Sequence, residues 1–235
     1  VGVVGEHLGL RVQQLGVREI RDSSRRLGKP IPLEIAYFVG QDDFSLQVER
    51  LREAKVDGIV HWGDAVDGAK ILSALRAAGM REPFFACDRC LLDEFAKLAG
   101  QDAEGVVCAS PWNPQSHDST WIAFREAYRG RFQEEPETYA AHAYDGMNML
   151  IWAIQAAGLN RAKIPDVLAY LPEPWPGVTR DIQLSACLDD VGDVYLAKFE
   201  NGDWNYYSRA DLDIPKGYIP PRDRVNRSAE DTAQR

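Results

Sequence analysis

Histidine and cysteine are scarce in this sequence, and their spacing argues against a metal centre. Only four histidines and four cysteines occur among 235 residues. His7, His117 and His142 have no metal-ligand spacing with one another or with a pair of carboxylates. We therefore expect no metal site.

The common catalytic and cofactor-binding motifs are also missing. G-x-S-x-G, H-E-x-x-H and the P-loop do not occur. Gly2, Gly5 and Gly9 follow a predicted strand, but their spacing is not G-x-G-x-x-G. The second predicted strand ends at Val39 and Gly40, where a dinucleotide site would have an acidic residue. We expect neither a cofactor nor enzymatic activity.

Basic residues and long apolar runs are too few for two further classes of protein. The 27 Lys and Arg residues are outnumbered by 36 Asp and Glu, giving a formal net charge of −9. This balance argues against binding to nucleic acid or to an anionic membrane surface. The longest apolar stretch, 147–157, is interrupted by Asn148 and Gln155 and is too short to span a bilayer.

The few cysteines leave three alternatives open. Cys87 and Cys90 have C-x-x-C spacing, but Leu91 follows in place of the His of a haem-attachment motif. A redox pair would lie at a helix start, and a helix can begin near Leu91. The pair can also be small buried residues or a structural disulfide. Cys87 and Cys108 occupy matching places in neighbouring predicted strands, so they are an equally plausible bridge.

What the chain does contain is a regular alternation of strands and helices over its first half. Apolar runs bounded by turn residues predict strands at 1–4, 32–39, 59–62, 83–86 and 105–109. Residues at helical spacing separate them, and their predicted inward positions include Leu15, Leu27, Ile71, Leu72, Leu75, Phe95 and Leu98. This order predicts a doubly wound parallel α/β sheet.

The second half of the sequence lacks the regular alternation of strands and helices. Trp121, Phe124, Tyr128 and Phe132 predict an amphipathic helix, and a long helix is expected over 138–157, closed by Gly158. Residues 168–178 contain three prolines and are predicted to be irregular. Strands are expected at 181–184 and 194–199, followed by a hairpin turn at Asn201 and Gly202.

Several phrases and their order carry a resemblance to a known family. They are VGVVGEHLG, DDFSLQVERLREAKVDGIVHWG, ILSALRAAGM, AEGVV, FREAYRGRF and YAAHAYDGMNMLIWAIQAAG. Over residues 1–207 the chain resembles the type I periplasmic binding proteins, specifically the branched-chain amino-acid (Leu/Ile/Val) substrate-binding proteins of ABC transporters.

The resemblance implies a fold in which two α/β lobes close over a ligand in the manner of a Venus flytrap. It assigns residues 1–133 to the second lobe, 134–193 to a segment returning to the first lobe, and 194–207 to a strand that crosses back. Residues 208–235 are not covered and are predicted to form a polar, extended tail. The first-lobe segment of the family would precede Val1.

The resemblance also implies a binding site formed by loops at strand ends. The first loop usually has an aromatic residue before Gly, and here it reads Leu8-Gly9. The second loop maps to Asp64 and Ala65. The absence of the aromatic residue and the small Ala65 depart from the pattern expected for a standard aliphatic amino acid. Asp64 has an alternative, structural interpretation as a helix cap.

The third loop supplies an acidic residue that pairs with the ligand's ammonium group. It maps to Asp88, next to Arg89, and a charge-assisted hydrogen bond suits a desolvated ammonium. Asp88 too has the alternative of capping a helix. His142 is expected to line the cleft from the other lobe.

These implications favour a periplasmic solute-binding protein that delivers an amino-acid-like ligand or small organic acid to ABC permease subunits. The partners would be the small molecule and the permease, without nucleic acid. Two alternatives remain: a structural or accessory subunit of a larger complex built on this fold, in contact with a partner chain, and a sensor ectodomain.

Overall fold

A computed structural model describes residues 1–6, 11–158, 160–192, 194–208 and 210–212. The strands are β1 (Gly2–Glu6), β2 (Leu33–Tyr37), β3 (Ile59–Trp62), β4 (Phe84–Ala86), β5 (Val107–Ser110), β6 (Trp175–Pro176), β7 (Asp181–Ile182), β8 (Tyr195–Glu200) and β9 (Asp203–Tyr207). The α-helices are α1 (Arg11–Arg26), α2 (Ser45–Glu53), α3 (Ala65–Ala77), α4 (Asp93–Ala99), α5 (Ser119–Phe132), α6 (Thr138–Ala157) and α7 (Ile164–Ala169). Short 3-10 helices cover Asp88–Leu91 and Gly100–Ala103.

One mixed sheet organises these elements. Within the described residues its strand order is β2-β1-β3-β4-β5-β8-β9. The first five strands are parallel, as the alternation of helices and strands predicts, but β8 and β9 are antiparallel additions. Asn201 and Gly202 have φ angles of 57° and 83°, which suit a two-residue hairpin between antiparallel strands. The α/β fold class is therefore confirmed, with an antiparallel edge.

The core lies largely between the sheet and helices α2 to α4. Ile71, Leu72, Leu75 and Phe95 are fully buried, as their spacing predicts. Leu98 is 54% exposed, so its predicted inward position is wrong. Because α4 has only seven residues between two 3-10 turns, the periodicity does not extend to its last turn.

Helix α1 packs on the sheet through different residues from those predicted. Leu15 is 37% exposed and Leu27 lies beyond the helix end at 61% exposure. Gly16 faces the sheet instead, because a Cβ built there would lie 2.1 Å from the Trp62 ring. Trp62 therefore packs against α1, which agrees with a structural role for this aromatic residue.

The segment after β5 packs around a second, smaller cluster of buried residues. Trp112 and Trp121 meet edge to face at 4.6 Å, and Ala141 and Val178 are buried beside them. Helix α6 spans 138–157 as predicted and ends in Gly158 with φ 62°. The prediction that 168–178 is irregular is wrong at both ends, since α7 includes 168–169 and β6 pairs with β7.

The predicted amphipathic pattern of α5 is only partly buried. Trp121 is buried, but Phe132 is 52% exposed. A groove of about 1030 Å³ runs between α5 and α6. Aromatic residues form much of its lining, among them Phe124, Tyr128, Phe132, Tyr144, Trp152 and Trp175. Of the helices that the structure describes, none has the length and apolarity to span a membrane.

Candidate functional site

The candidate site follows from the order of the strands. The chain passes from β1 to β2 on one side and then to β3 on the other side of β1. Such a switch point leaves a crevice at the carboxyl ends of β1 and β3, where open α/β sheets bind ligands. The loop after β1 contains Leu8 and Gly9, which lie outside the described residues. The loops after β3 and β4 can be described in full.

The loop after β3 is a tight turn that only glycine allows at its first position. A Cβ on Gly63 would lie 1.9 Å from the Tyr37 hydroxyl and 2.7 Å from His61 Nε2. The chain then extends through Asp64, whose Oδ1 accepts a hydrogen bond of 2.9 Å from the Asp67 backbone N–H. Asp64 is thus the N-cap of α3, as its structural interpretation predicts. Its carboxylate stays half-buried at the crevice.

Asp67 is a further carboxylate at this edge that is not among the predicted site residues. Its side chain is 1% exposed, and Oδ2 accepts a 2.9 Å hydrogen bond from the Gly40 backbone N–H in the loop after β2. Its Oδ1 is buried and has no hydrogen-bond partner among the described residues. Burial raises the pKa of Asp67 above its ordinary value. An acidic residue three positions after an acidic cap was the available signal.

Beneath the loops, a buried polar chain ties β2, β3 and the β4 loop together. The Tyr37 hydroxyl lies 3.1 Å from His61 Nε2, and the Cys90 Sγ lies 3.6 Å from His61 Nδ1. His61 has no solvent exposure. Burial, with a smaller contribution from the Arg89 charge, lowers the pKa of His61 to about 3. The ring is therefore neutral across the physiological range.

The loop after β4 packs directly on the loop after β3. The Cys87 thiol donates a hydrogen bond of 3.1 Å to the Gly63 carbonyl, and the Cys90 Sγ lies 3.7 Å from the Asp64 carbonyl. Asp88 is exposed and Arg89 is half-buried. Asp64 and Asp88 are thus brought to adjacent loops at the carboxyl edge of the sheet.

All four cysteines have free thiols in this structure, so neither of the two predicted disulfides is formed. Cys87, Cys90 and Cys108 are buried, which agrees with their interpretation as small buried residues, and Cys187 is exposed. No cluster of three or more His, Cys, Asp or Glu side chains suited to a metal ion occurs in the part of the chain that the structure describes.

Two of the predicted site residues are placed differently from Asp64 and Asp88. Ala65 is 3% exposed, and it packs in the main core cluster at the start of α3. His142 lies in the first turn region of α6, where its Nδ1 donates to the Thr138 carbonyl at 2.7 Å. Its ring meets the edge of Trp112 at 6.1 Å, which places it with the second cluster of buried residues.

The comparisons with known proteins agree with this fold. The family model described as "Periplasmic binding protein" matches residues 10–202, which is most of the chain. The chain therefore belongs to the periplasmic binding protein family, and the predicted resemblance is confirmed.

The curated relatives are named for branched-chain amino acids. The Leu/Ile/Val-binding protein homolog 2 of Brucella abortus is 27% identical over 198 residues, covering 81% of this chain and 52% of the relative. The Leu/Ile/Val/Thr-binding protein of Salmonella typhimurium is 25% identical, covering 82% and 52%. The chain thus spans about half the length of the curated relatives it matches.

Solved structures show the same fold. A leucine-binding protein of Thermotoga maritima superposes with a TM-score of 0.78 at 22% identity, covering 88% of this chain and 59% of that one. An ABC transporter substrate-binding protein of Desulfitobacterium hafniense in complex with Leu has a TM-score of 0.67 at 26% identity, covering 87% and 59%.

Proposed function

We propose that this chain provides one α/β lobe of a solute-binding protein that captures a small amino-acid-like ligand. The ligand would bind at the carboxyl edge of the sheet and be passed to the permease of an ABC importer in the periplasm. The observation that carries the proposal is the pair of carboxylates, Asp64 and Asp88, on the adjacent β3 and β4 loops at the carboxyl edge of the sheet. Membership of the periplasmic binding protein family and the names of the relatives support it.

The carboxylates suit the ammonium group of an amino acid. Asp88 is exposed at the rim and can approach a ligand, whereas Asp64 presents a half-buried carboxylate fixed by its capping bond. Charge-assisted hydrogen bonds are roughly twice as strong as neutral ones, so closure over an ammonium would favour this pair. Arg89, next to Asp88 and half-buried, would meet an anionic group on the same ligand.

We further propose that residues 1–133 and 194–207 form one lobe and 134–193 part of the other. The addition of β8 and β9 to the edge of the main sheet supports the first assignment. The aromatic groove does not separate the two segments, because α5 and α6 line it together and Trp121 packs with Ala141. It supports a further covering element, since an apolar surface of this kind is normally buried against another element. The remainder of the first lobe, present in the longer relatives, would cover it. His142 would then face the cleft from that lobe.

Isothermal titration calorimetry on the full-length natural protein tests the proposal. The panel pairs leucine, isoleucine and valine with analogues that lack either the amino or the carboxyl group. We expect micromolar or tighter binding that requires the amino group, and at least a tenfold loss with Asp88→Asn. Asp57→Asn is the matched control, since Asp57 is exposed before β3, at the opposite edge of the sheet. Equal affinity in Asp88→Asn and wild type would contradict the assignment of Asp88.

The aromatic groove favours one alternative, an accessory subunit in which a partner chain covers α5 and α6. The two functions separate in the same titration. A natural protein that binds none of the panel, and that purifies as a stable complex with a second kind of chain, would favour the accessory subunit. A monomer with amino-acid affinity would exclude it.

A further inference from the structure

The C-x-x-C segment after β4 is folded into a turn that brings its two cysteines together. The Cys90 backbone N–H donates to the Cys87 carbonyl at 3.1 Å, closing the turn. In such a turn the first and fourth Cα atoms lie within 7 Å, which is compatible with the 4.4–6.8 Å range of disulfides. Asp88 and Arg89 are the two residues enclosed. The backbone is therefore already in a geometry that a Cys87–Cys90 bridge requires.

The third buried cysteine is less suited to pair with Cys87. Cys108 lies on β5 and is the register partner of Ala86. Since successive residues of a strand point to opposite faces, Cys108 shares its face with Ala86, and Cys87 follows on the other face. A bridge between Cys87 and Cys108 would need the β4–β5 register to change.

The two thiols of the turn have different surroundings. The Cys87 thiol lies on the Gly63 carbonyl at 3.1 Å, while the Cys90 Sγ contacts His61 Nδ1 at 3.6 Å in the core. The neighbouring Cys90 and the Arg89 charge lower the pKa of Cys87, while the neighbouring Cys87 and burial raise the pKa of Cys90. Both thiols are enclosed, with Cys87 1% exposed and Cys90 0% exposed, so a small disulfide reaches Cys87 only when the β4 loop opens locally.

We infer that Cys87 and Cys90 are a reversible dithiol–disulfide pair, in which Cys87 attacks low-molecular-weight disulfides and Cys90 resolves the product. The Cys87 thiolate attacks one sulfur of the small disulfide, the S–S bond breaks and one thiolate leaves. Cys90 then loses its proton and attacks the Cys87 sulfur of the mixed disulfide, releasing the second thiolate. The protein dithiol loses two electrons and two protons, and the small disulfide becomes two thiols.

The bridge has a structural consequence for the neighbouring loop. Once Cys87 is oxidised, its sulfur no longer donates to the Gly63 carbonyl, so the contact between the β3 and β4 loops is weakened. Asp88 lies inside the closed ring, and Asp64 follows Gly63. Oxidation should therefore weaken ligand binding at least threefold, a step that rests on the proposed function.

The redox step is tested by mass spectrometry on the full-length natural protein. Cys187→Ser is the background, because this exposed thiol would otherwise react first. After equilibration with mixtures of oxidised and reduced glutathione and alkylation of free thiols, we expect a species lacking two hydrogens, with the bridge mapped to Cys87 and Cys90. Cys87→Ser and Cys90→Ser should each abolish it, and Cys108→Ala should keep it.

The outcomes are separable. No bridged species at any glutathione ratio in a protein with native circular dichroism, a stable mixed disulfide as the end product, or a bridge to Cys108 would each overturn the inference. In Cys90→Ser, we expect glutathione to remain attached to Cys87, which assigns the attacking thiol; attachment at Cys108 instead would overturn that assignment. A bridge that forms without changing ligand affinity would overturn the coupling alone, whereas absence of ligand binding in the reduced protein would contradict the proposed function.

Discussion

Acid is the perturbation that most directly tests the buried polar chain beneath the candidate site. His61 is enclosed by the Tyr37 hydroxyl at 3.1 Å, by Cys90 Sγ at 3.6 Å and by the Phe84 ring, whose centroid lies 6.0 Å away. Burial, and secondarily the Arg89 charge, lowers its pKa from 6.5 to about 3. The imidazole therefore stays neutral in the folded protein under conditions where it is protonated in the unfolded chain.

The sign and size of the effect follow from proton linkage. Between pH 6.5 and about 3 the unfolded chain binds one more proton at His61 than the folded protein does, so the free energy of unfolding falls as the pH falls. The slope approaches about 1.4 kcal/mol per pH unit, and the contribution lost between pH 7 and pH 4.5 is about 2.5 kcal/mol. That loss is a large fraction of a typical domain stability of about 5–15 kcal/mol.

Urea unfolding followed by tryptophan fluorescence between pH 7 and pH 4.5 measures the slope. His61→Gln cannot titrate, and its free energy of unfolding should fall by about 2.5 kcal/mol less than that of the wild type over this range. The comparison concerns slopes, so any loss of stability at pH 7 in the variant does not affect it. His117→Gln is the matched control, because it removes an exposed imidazole and leaves the buried one in place.

Equal slopes in His61→Gln and wild type would refute the reasoning, since His61 would then be protonated to the same extent in both states. If His61→Gln does not fold, imidazole resonances of the wild type provide the same test. One ring should show no titration above about pH 4.5 in the folded protein. A midpoint near the ordinary histidine value for every ring would refute the account equally.

Three further predictions concern the β3 loop, the buried carboxylate of α6 and the buried carboxylate of α3. Gly63→Ala should lower the free energy of unfolding in urea by about 1–3 kcal/mol, because the new Cβ would lie 1.9 Å from the Tyr37 hydroxyl. Gly130→Ala is the control: a Cβ there, on α5, meets open space, so the substitution should be neutral or stabilising. Asp145→Asn should cost about 2–4 kcal/mol by the same measurement, since the buried carboxylate accepts three hydrogen bonds, and an unchanged midpoint would contradict this. Burial raises the pKa of Asp67, so part of the free energy of unfolding present at low pH is lost as the pH rises through that pKa. The free energy of unfolding of Asp67→Asn should therefore increase relative to that of the wild type over the same pH rise. A difference between the two proteins that stays constant with pH would refute the raised pKa.

The order of elements was predictable because it depends on local patterns. Period-two and helical periodicities located the five parallel strands and the helices between them. Helix α6 ends where Gly158 adopts a positive φ, and Asn201-Gly202 makes the hairpin turn. These residues act through their own backbone preferences, so neighbouring sequence is sufficient to identify their role.

Predictions that depended on which face of a helix meets the sheet were less successful. In α1 the apolar Leu15 is exposed while Gly16 makes the closest approach to Trp62. A glycine carries no hydrophobic signal, and its value at this position comes only from the large ring opposite. The prediction that Leu98 is buried was wrong for a related reason, since the short α4 has too few turns to bury one whole face.

The residues of the candidate site also include some that local sequence identified and some that depend on tertiary contacts. Asp64 was recognisable as a residue following a strand and capping a helix, and the structure shows that capping bond. The burial of Ala65 was not recognisable, because it depends on the core beneath α3. The spacing of Asp67 from Asp64 was a local signal, but its contact with Gly40 depends on the loop after β2. The placement of Asp88 beside Asp64 follows from the β3–β4 pairing, which no local pattern specifies.

The sequence by itself determined the α/β class, the acidic character of the chain, the long helix α6 and the resemblance to periplasmic binding proteins, since these follow from composition, periodicity and the order of short phrases. Only the tertiary structure decided the antiparallel edge of the sheet, the burial of His61 with its lowered pKa, and the contact of Cys87 and Cys90 with the β3 loop. Burial and proximity arise from contacts between residues far apart in the chain, and the free energies that shift a pKa or position a thiol depend on those contacts.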